Sequence, residues 1–155
     1  APGFLYEAME CLGGNGSVEE GVLTRHYREA PVNAIWEGSG NVMCLDVLRA
    51  LSREADAAAA VLQRLAQETN GLPGAKEAVA SIGAAFRKPD GERAARMAVE
   101  TLALLAAAAA LNAVHPAHAE LFARTRLAER HGGFYGAADL DAAQARALLD
   151  RALAV

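Results

Sequence analysis

Apolar and polar positions along this chain follow a helical period almost throughout. From Val42 the apolar side chains fall at Leu45, Leu48, Leu51, Ala55, Ala58, Val61 and Leu62, and Leu65. Steps of three and four keep one face of a helix buried. This predicts one long helix from the Gly38-Ser39-Gly40 turn to Asn70-Gly71. Earlier, a helix is predicted over roughly 4–12, stopped by Gly13-Gly14. Ser17 with Glu20 reads as a capping box for a short helix reaching about Tyr27, and Pro31 bars its continuation. Later, Pro73 opens a helix to about Phe86, and Lys88-Pro89-Asp90-Gly91 is a turn. A helix follows from Glu92 to about Val114. Pro116 restarts or kinks it, and Gly132-Gly133 closes the run after Arg130. Asp141 with Gln144 resembles a capping box for a last helix to about Leu153. No stretch alternates with period two, so the expected fold is all-α, a helical bundle.

Composition supports this and divides the chain. Of 38 alanines, five lie in residues 1–54 and the rest in 55–155. Alanine favours helices, and an aromatic content of 5% disfavours a β-sandwich or barrel. We therefore expect two parts, residues 1–54 and an alanine-rich helical extension over 55–155. The length of 155 residues suits one ordinary domain. However, the chain starts Ala1-Pro2-Gly3 without Met, which suggests a piece of a longer protein.

Charge and cysteines narrow the function classes. A net charge of −4 argues against a generally basic nucleic-acid binder. Residues 76–130 carry an excess of +2, but the basic side chains Arg87, Lys88, Arg93, Arg96, Arg124, Arg126 and Arg130 are interspersed with glutamates. That pattern reads as a solvated face. Cys11 and Cys44 are too few for a disulfide scaffold, and both are expected to be buried small apolar residues in a reduced, cytoplasmic setting. The longest uninterrupted apolar run, Leu102 to Leu111, is half of the ~20 residues a membrane span needs, so no membrane partner is expected. His115 and His118 stand three apart, but no third ligand is near, so no metal site is expected.

Two segments could carry chemistry. Cys11-Leu12-Gly13-Gly14-Asn15-Gly16 frees the backbone either to turn or to approach a phosphate closely. In Ile35-Trp36-Glu37-Gly38-Ser39-Gly40-Asn41 a carboxylate sits between a bulky aromatic and a flexible turn. Burial beside Trp36 would raise the pKa of Glu37, as a general base requires. Ser39 and Asn41 can cap a helix or hydrogen-bond a ligand.

Taken together, Glu10-Cys11-Leu12-Gly13-Gly14-Asn15-Gly16, then Arg28-Glu29, then Trp36-Glu37-Gly38-Ser39 resemble the C-terminal signature of the acyl-CoA dehydrogenase flavoproteins. The spacing, 15 residues from Gly13 to Arg28 and nine from Arg28 to Glu37, is similar to the family's. The likeness covers about residues 4–50. Pro31 to Arg49 looks like a branch that includes a bacterial alkylation-response flavoprotein and isovaleryl-CoA dehydrogenase-like proteins. The resemblance implies that Glu37 is the base that takes the α-proton of an acyl-CoA thioester while FAD accepts a hydride from the β-carbon. It also implies FAD contacts at Glu10, Gly13, Gly14, Gly16, Gly38, Ser39 and Asn41. Partners implied are the remainder of an acyl-CoA dehydrogenase chain and a homotetramer, with residues 55–155 as the branch's helical extension. That branch has been linked to DNA binding as well, which is the alternative reading of the extension. The departures are Glu10 where the family has Gln, Glu29 where it has Asp, and Ser39 where it has Thr. The chain alone is not expected to turn over.

Overall fold

A computed structural model describes residues 1–36, 38–87, 91–128 and 140–153. Among these there are eight α-helices and no strand, which is the expected all-α class. They are α1 (Pro2–Cys11), α2 (Val22–Glu29), α3 (Gly40–Arg53), α4 (Ala55–Glu68), α5 (Ala75–Phe86), α6 (Gly91–Val114), α7 (Pro116–Ala123) and α8 (Ala142–Ala152). Short 3₁₀ turns occupy Gly13–Ser17 and Ala30–Ala34, and one π-helical turn, Arg124–Ala128, continues α7. The expected turn at Lys88-Pro89-Asp90 and the closing Gly132-Gly133 lie outside the described residues.

The centre of the bundle is α6. Helices α3, α4, α5 and α7 and the π-helical turn all pack on it. Its buried positions are Ala95, Ala98, Leu105, Ala108 and Ala109. Of the 13 buried apolar residues among those described, ten are alanine. An alanine methyl is buried between helices only where the backbones come close, since interaxial distance follows side-chain size. The larger side chains collect at one point. Ile82 and Leu105 are fully enclosed with Ala75 and Ala78, and Leu62, Leu65, Leu72, Phe86 and Leu127 pack around them. By length and composition alone, helix α6 could cross a membrane, since an 18-residue window within it has a mean hydropathy of 1.8. The uninterrupted run Leu102–Leu111 understates this, because Met97-Ala98-Val99 and Ala113-Val114 continue the apolar character around it.

Three expectations are corrected. The long helix predicted from the Gly38-Ser39-Gly40 turn to Asn70 is two helices, broken at Glu54 (φ −128°, ψ 53°). No Gly or Pro marks the break. The Ser52 hydroxyl donates to the Arg49 carbonyl at 2.8 Å, a local bond that competes with the helix ladder. The bend lets both α3 and α4 lie on α6. Second, Ser17 and Glu20 form no capping box. Ser17 Oγ donates to the Gly14 carbonyl at 3.0 Å, and a turn closed by Gly21 N–H on the Val18 carbonyl at 3.0 Å uses up residues 18–21. Helix α2 therefore starts at Val22 with Gly21 as its cap. Third, Cys11 is exposed at the end of α1, whereas Cys44 is buried as expected.

The tail follows its sequence signals. Asp141 Oδ1 accepts the Gln144 N–H at 2.8 Å, and Gln144 Oε1 accepts the Asp141 N–H at 3.1 Å, the predicted capping box. Gln144 Oε1 also accepts from Arg124 at 3.2 Å, which ties α8 to the π-helical turn. In that turn the Thr125 hydroxyl donates to the Leu121 carbonyl at 3.0 Å, displacing the regular ladder. The turn seats on Gly74. There φ is 72°, and a Cβ would lie 2.5 Å from the Ala128 nitrogen.

Residues 1–36 form a separate small packing unit. Helices α1 and α2 and the two 3₁₀ turns pack chiefly on one another. Arg28 reaches back from α2 to the turn, donating to both Glu19 oxygens at 2.6 and 2.9 Å. The Arg28 hydrogen bond and charge hold the Glu19 carboxyl below its ordinary value.

Three outcomes follow for stability. Leu105→Ala removes a fully enclosed side chain and should cost about 2–5 kcal/mol in denaturant unfolding. Gly74→Ala combines a left-handed backbone with a clash on Ala128 and should cost more than ~1 kcal/mol, whereas Gly14→Ala, with open space around it, should cost less. The Glu19 carboxyl should titrate below 4.5 by NMR. Because its folded pKa is lowered, the pair's contribution is in place above that ordinary value and lost as pH falls through the lowered one. The midpoint should return towards 4.5 in Arg28→Ala.

Candidate functional site

The residues expected to meet a cofactor fall on two connected pieces. The first is the turn after α1. Glu10 sits in the last turn of α1, exposed, and accepts the Tyr6 hydroxyl at 3.0 Å. That hydrogen bond, reinforced by the carboxylate's charge, raises the Tyr6 pKa. Gly13 adopts φ 57°, a left-handed conformation, directly after the helix end, as a helix-terminating glycine does. Neither Gly13 nor Gly14 has any atom within 4 Å of where a Cβ would stand. The backbone here is open to close approach. Gly16 is different. It is buried, and a Cβ there would lie 2.1 Å from the Met9 carbonyl oxygen. Only glycine lets the turn fold back onto α1.

The second piece leads into α3. Glu37 lies outside the described residues. Its neighbour Trp36 is 74% exposed and Ile35 is 65% exposed. The burial of this aromatic, expected from the sequence to desolvate a base, is not present in the chain's own packing. Gly38 takes φ 138°, a conformation open essentially to glycine, with the Met43 sulfur 3.0 Å from its would-be Cβ. Ser39 is the N-cap residue of α3. Its carbonyl accepts the Met43 N–H at 3.0 Å, but its hydroxyl makes no capping hydrogen bond. Asn41, in the first turn of α3, accepts a hydrogen bond on Oδ1 from Arg96 of α6 at 3.0 Å.

That last contact was not legible in the sequence. Asn41 and Arg96 are 55 residues apart, and no local pattern links them. It joins residues 1–54 to the extension at the very turn that carries the candidate residues. Arg96 is engaged with Asn41, Arg124 with Gln144, and Arg87 lines a groove at the bend between α3 and α4. Lys88 and Arg130 lie outside the described residues. The rings of His115 and His118 stand 5.5 Å apart, and among the described residues no group of three ligating side chains could hold a metal.

Exposed apolar surface is concentrated beside this site. Among the described residues, twelve of the 18 exposed large apolar side chains lie in residues 1–45, including Phe4, Leu12, Val22, Ile35, Trp36 and Met43. Exposed apolar surface of this extent marks a contact surface.

Comparison with known proteins finds similarity over the segment that carries these residues. Residues 4–52 match the family described as acyl-CoA dehydrogenase, C-terminal domain. Over 52 residues the chain is 67% identical to the acyl-CoA dehydrogenase candidate AidB of Escherichia coli (strain K12), a stretch amounting to 34% of this chain and 10% of that protein. Over 82 residues it is 40% identical to acyl-CoA dehydrogenase family member 11 of Caenorhabditis elegans, covering 48% of this chain and 13% of that protein. The chain thus spans little more than a tenth of the length of these relatives. Residues 4–52, which hold α2 and most of α1 and α3, are the part of this chain that is similar to an acyl-CoA dehydrogenase C-terminal domain.

Proposed function

We propose that this chain is the C-terminal part of a FAD-dependent oxidoreductase that dehydrogenates an acyl-CoA thioester between its α and β carbons. The observation that carries this reading is the family match over residues 4–52, a segment that includes the Trp36-Glu37-Gly38-Ser39 run. In this reading Glu37 takes the α-proton on its carboxylate. An α-proton beside a thioester is only weakly acidic, so the carboxylate must be kept from water during the transfer. Trp36 and Ile35, both largely exposed, supply the apolar surface for that exclusion once covered by the rest of the enzyme or a neighbouring subunit.

The open backbone at Gly13 and Gly14 fits a bound flavin nucleotide, because no side chain blocks close approach. Ser39, whose hydroxyl is not spent on capping α3, and Asn41, whose amide hydrogens remain when Oδ1 accepts from Arg96, offer donors on the second piece. Glu10 is the weakest contact, since its carboxylate accepts from Tyr6 and would place negative charge beside a nucleotide. Gly38 would keep the turn open, and Gly16 would hold it against α1. FAD, when bound, accepts the hydride from the β-carbon. The working protein in this reading is a cytoplasmic homotetramer, and residues 1–155 alone do not turn over.

The test is Glu37→Gln in the full-length flavoprotein. Loss of the base should slow reduction of the flavin absorbance by acyl-CoA by about 10²–10⁴-fold, with the oxidised spectrum unchanged. Reduction at the parental rate would overturn the assignment of Glu37, and a full-length protein without flavin bands would overturn the oxidoreductase reading itself.

A further inference from the structure

The end of the molecule away from the cofactor segment holds a second cavity. It lies between the last turn of α6, α7, the π-helical turn and α8, with a volume of about 530 Å³. That is within the roughly 300–1,000 Å³ of small-molecule sites. Leu111, Leu121, Phe122 and Leu148 give it apolar walls. Its charged lining is of one sign. Arg126 and Arg151 border it, and no carboxylate does among the described residues. Among the described residues, Asp150 pairs with Arg146 at 2.8 Å, Asp141 caps α8, and Glu120 lines the adjoining groove rather than this one. Neither Arg126 nor Arg151 has an ion-pair partner among the described residues.

Two further features set this groove apart from an ordinary packing gap. His118 also lines it, and the ring Nδ1 is enclosed without a hydrogen bond, so no bond at that nitrogen fixes the imidazole. Enclosed polar atoms left unpartnered are uncommon in a packed protein. The wall carrying Arg126 is the π-helical turn, a form of backbone found mostly at functional sites. The Thr125 hydroxyl, bonded to the Leu121 and Phe122 carbonyls, holds that turn in place.

We propose that this groove binds a single-chain aliphatic anion, with the chain along the Leu111, Leu121, Phe122 and Leu148 walls and the headgroup at Arg126 and Arg151. The guanidinium fork pairs in a bidentate manner with carboxylate and with phosphate, so the headgroup chemistry is shared between the two. The occupant is a small amphiphile because the walls are apolar and the mouth cationic. The site does not depend on the oxidoreductase reading, since none of its residues lies within residues 4–52.

The experiment is calorimetric titration of the 155-residue chain with decanoate, decyl phosphate, 1-decanol and acetate, each below its micellar concentration. Decanoate, decyl phosphate or both should bind with unit stoichiometry, and decanol and acetate should bind at least about tenfold more weakly. Arg126→Ala/Arg151→Ala should weaken the anion by about tenfold or more, and because both side chains are exposed the fold should be unchanged by circular dichroism. Leu148→Asp, at a partly exposed wall position, should weaken it similarly. Decanoate binding alone assigns a carboxylate ligand, and decyl phosphate binding alone a phosphate one. Equal affinity for decanol, undiminished affinity in the double arginine variant, or no binding of either anion would overturn the proposal.

Discussion

The fold depends on how closely helices can approach α6. Its buried face is nearly all alanine, and the residues facing it from α5 and α7 (Ala75, Ala78, Ala85, Ala119 and Ala123) are alanines too. Each methyl buries little surface, and a CH₂-sized group contributes only about 0.8 kcal/mol on transfer from water. The contribution is instead geometric. Small side chains bring backbones together, so that dispersion contacts multiply along the whole length of the helix. Such an interface has little tolerance for growth, because an added methylene has no void to enter. It also has one place where larger groups are needed, the cluster of Ile82 and Leu105, which fixes the register of α5 on α6.

Residues 1–36 are built on the opposite logic. Among residues 1–36 only Gly16, Thr24 and Ala30 are buried, while large apolar side chains face outward. The unit is held by local devices: a 3₁₀ turn folded onto Met9, the bidentate Arg28–Glu19 pair, and a turn at Val18–Gly21. An exposed, solvent-screened pair of this kind adds little to stability. A segment so lightly anchored, with so much apolar surface, gains order when another surface covers it. Under the proposed function that surface is the rest of the enzyme, and the same covering would desolvate the base.

The helical class was readable because the period-3.6 pattern is strong and long, and because Asp141 with Gln144 is a complete local signal that needs no tertiary partner. Gly13 and Pro116 were readable for the same reason. What the sequence did not reveal was decided at a distance. The break at Glu54 has no Gly or Pro to announce it; it follows from α3 and α4 both packing on α6. The false capping box at Ser17 failed because a turn competed for the same residues. Glycine carries the least information of all. Gly13, Gly14 and Gly16 read alike in sequence, yet one terminates a helix, one stands in open space and one is forced by a backbone contact.

The link between Arg96 and Asn41 bears on why an alanine-rich extension would accompany a catalytic segment. Helix α3 begins at the turn that holds Gly38 and Ser39, and it is tied to α6 by packing and by the Arg96–Asn41 hydrogen bond. Helix α6 in turn is fixed to the end of α4 by Asn112, whose Nδ2 donates to the Glu68 carbonyl at 2.8 Å. The orientation of the turn is therefore determined by residues more than 50 positions away, in a part of the chain that makes no contact with a thioester in the proposed chemistry. A loop rich in glycine has a large conformational entropy to lose when it meets a ligand. Packing its following helix against a rigid, closely packed bundle removes part of that freedom in advance, which lowers the cost of binding without adding a single contact to the ligand.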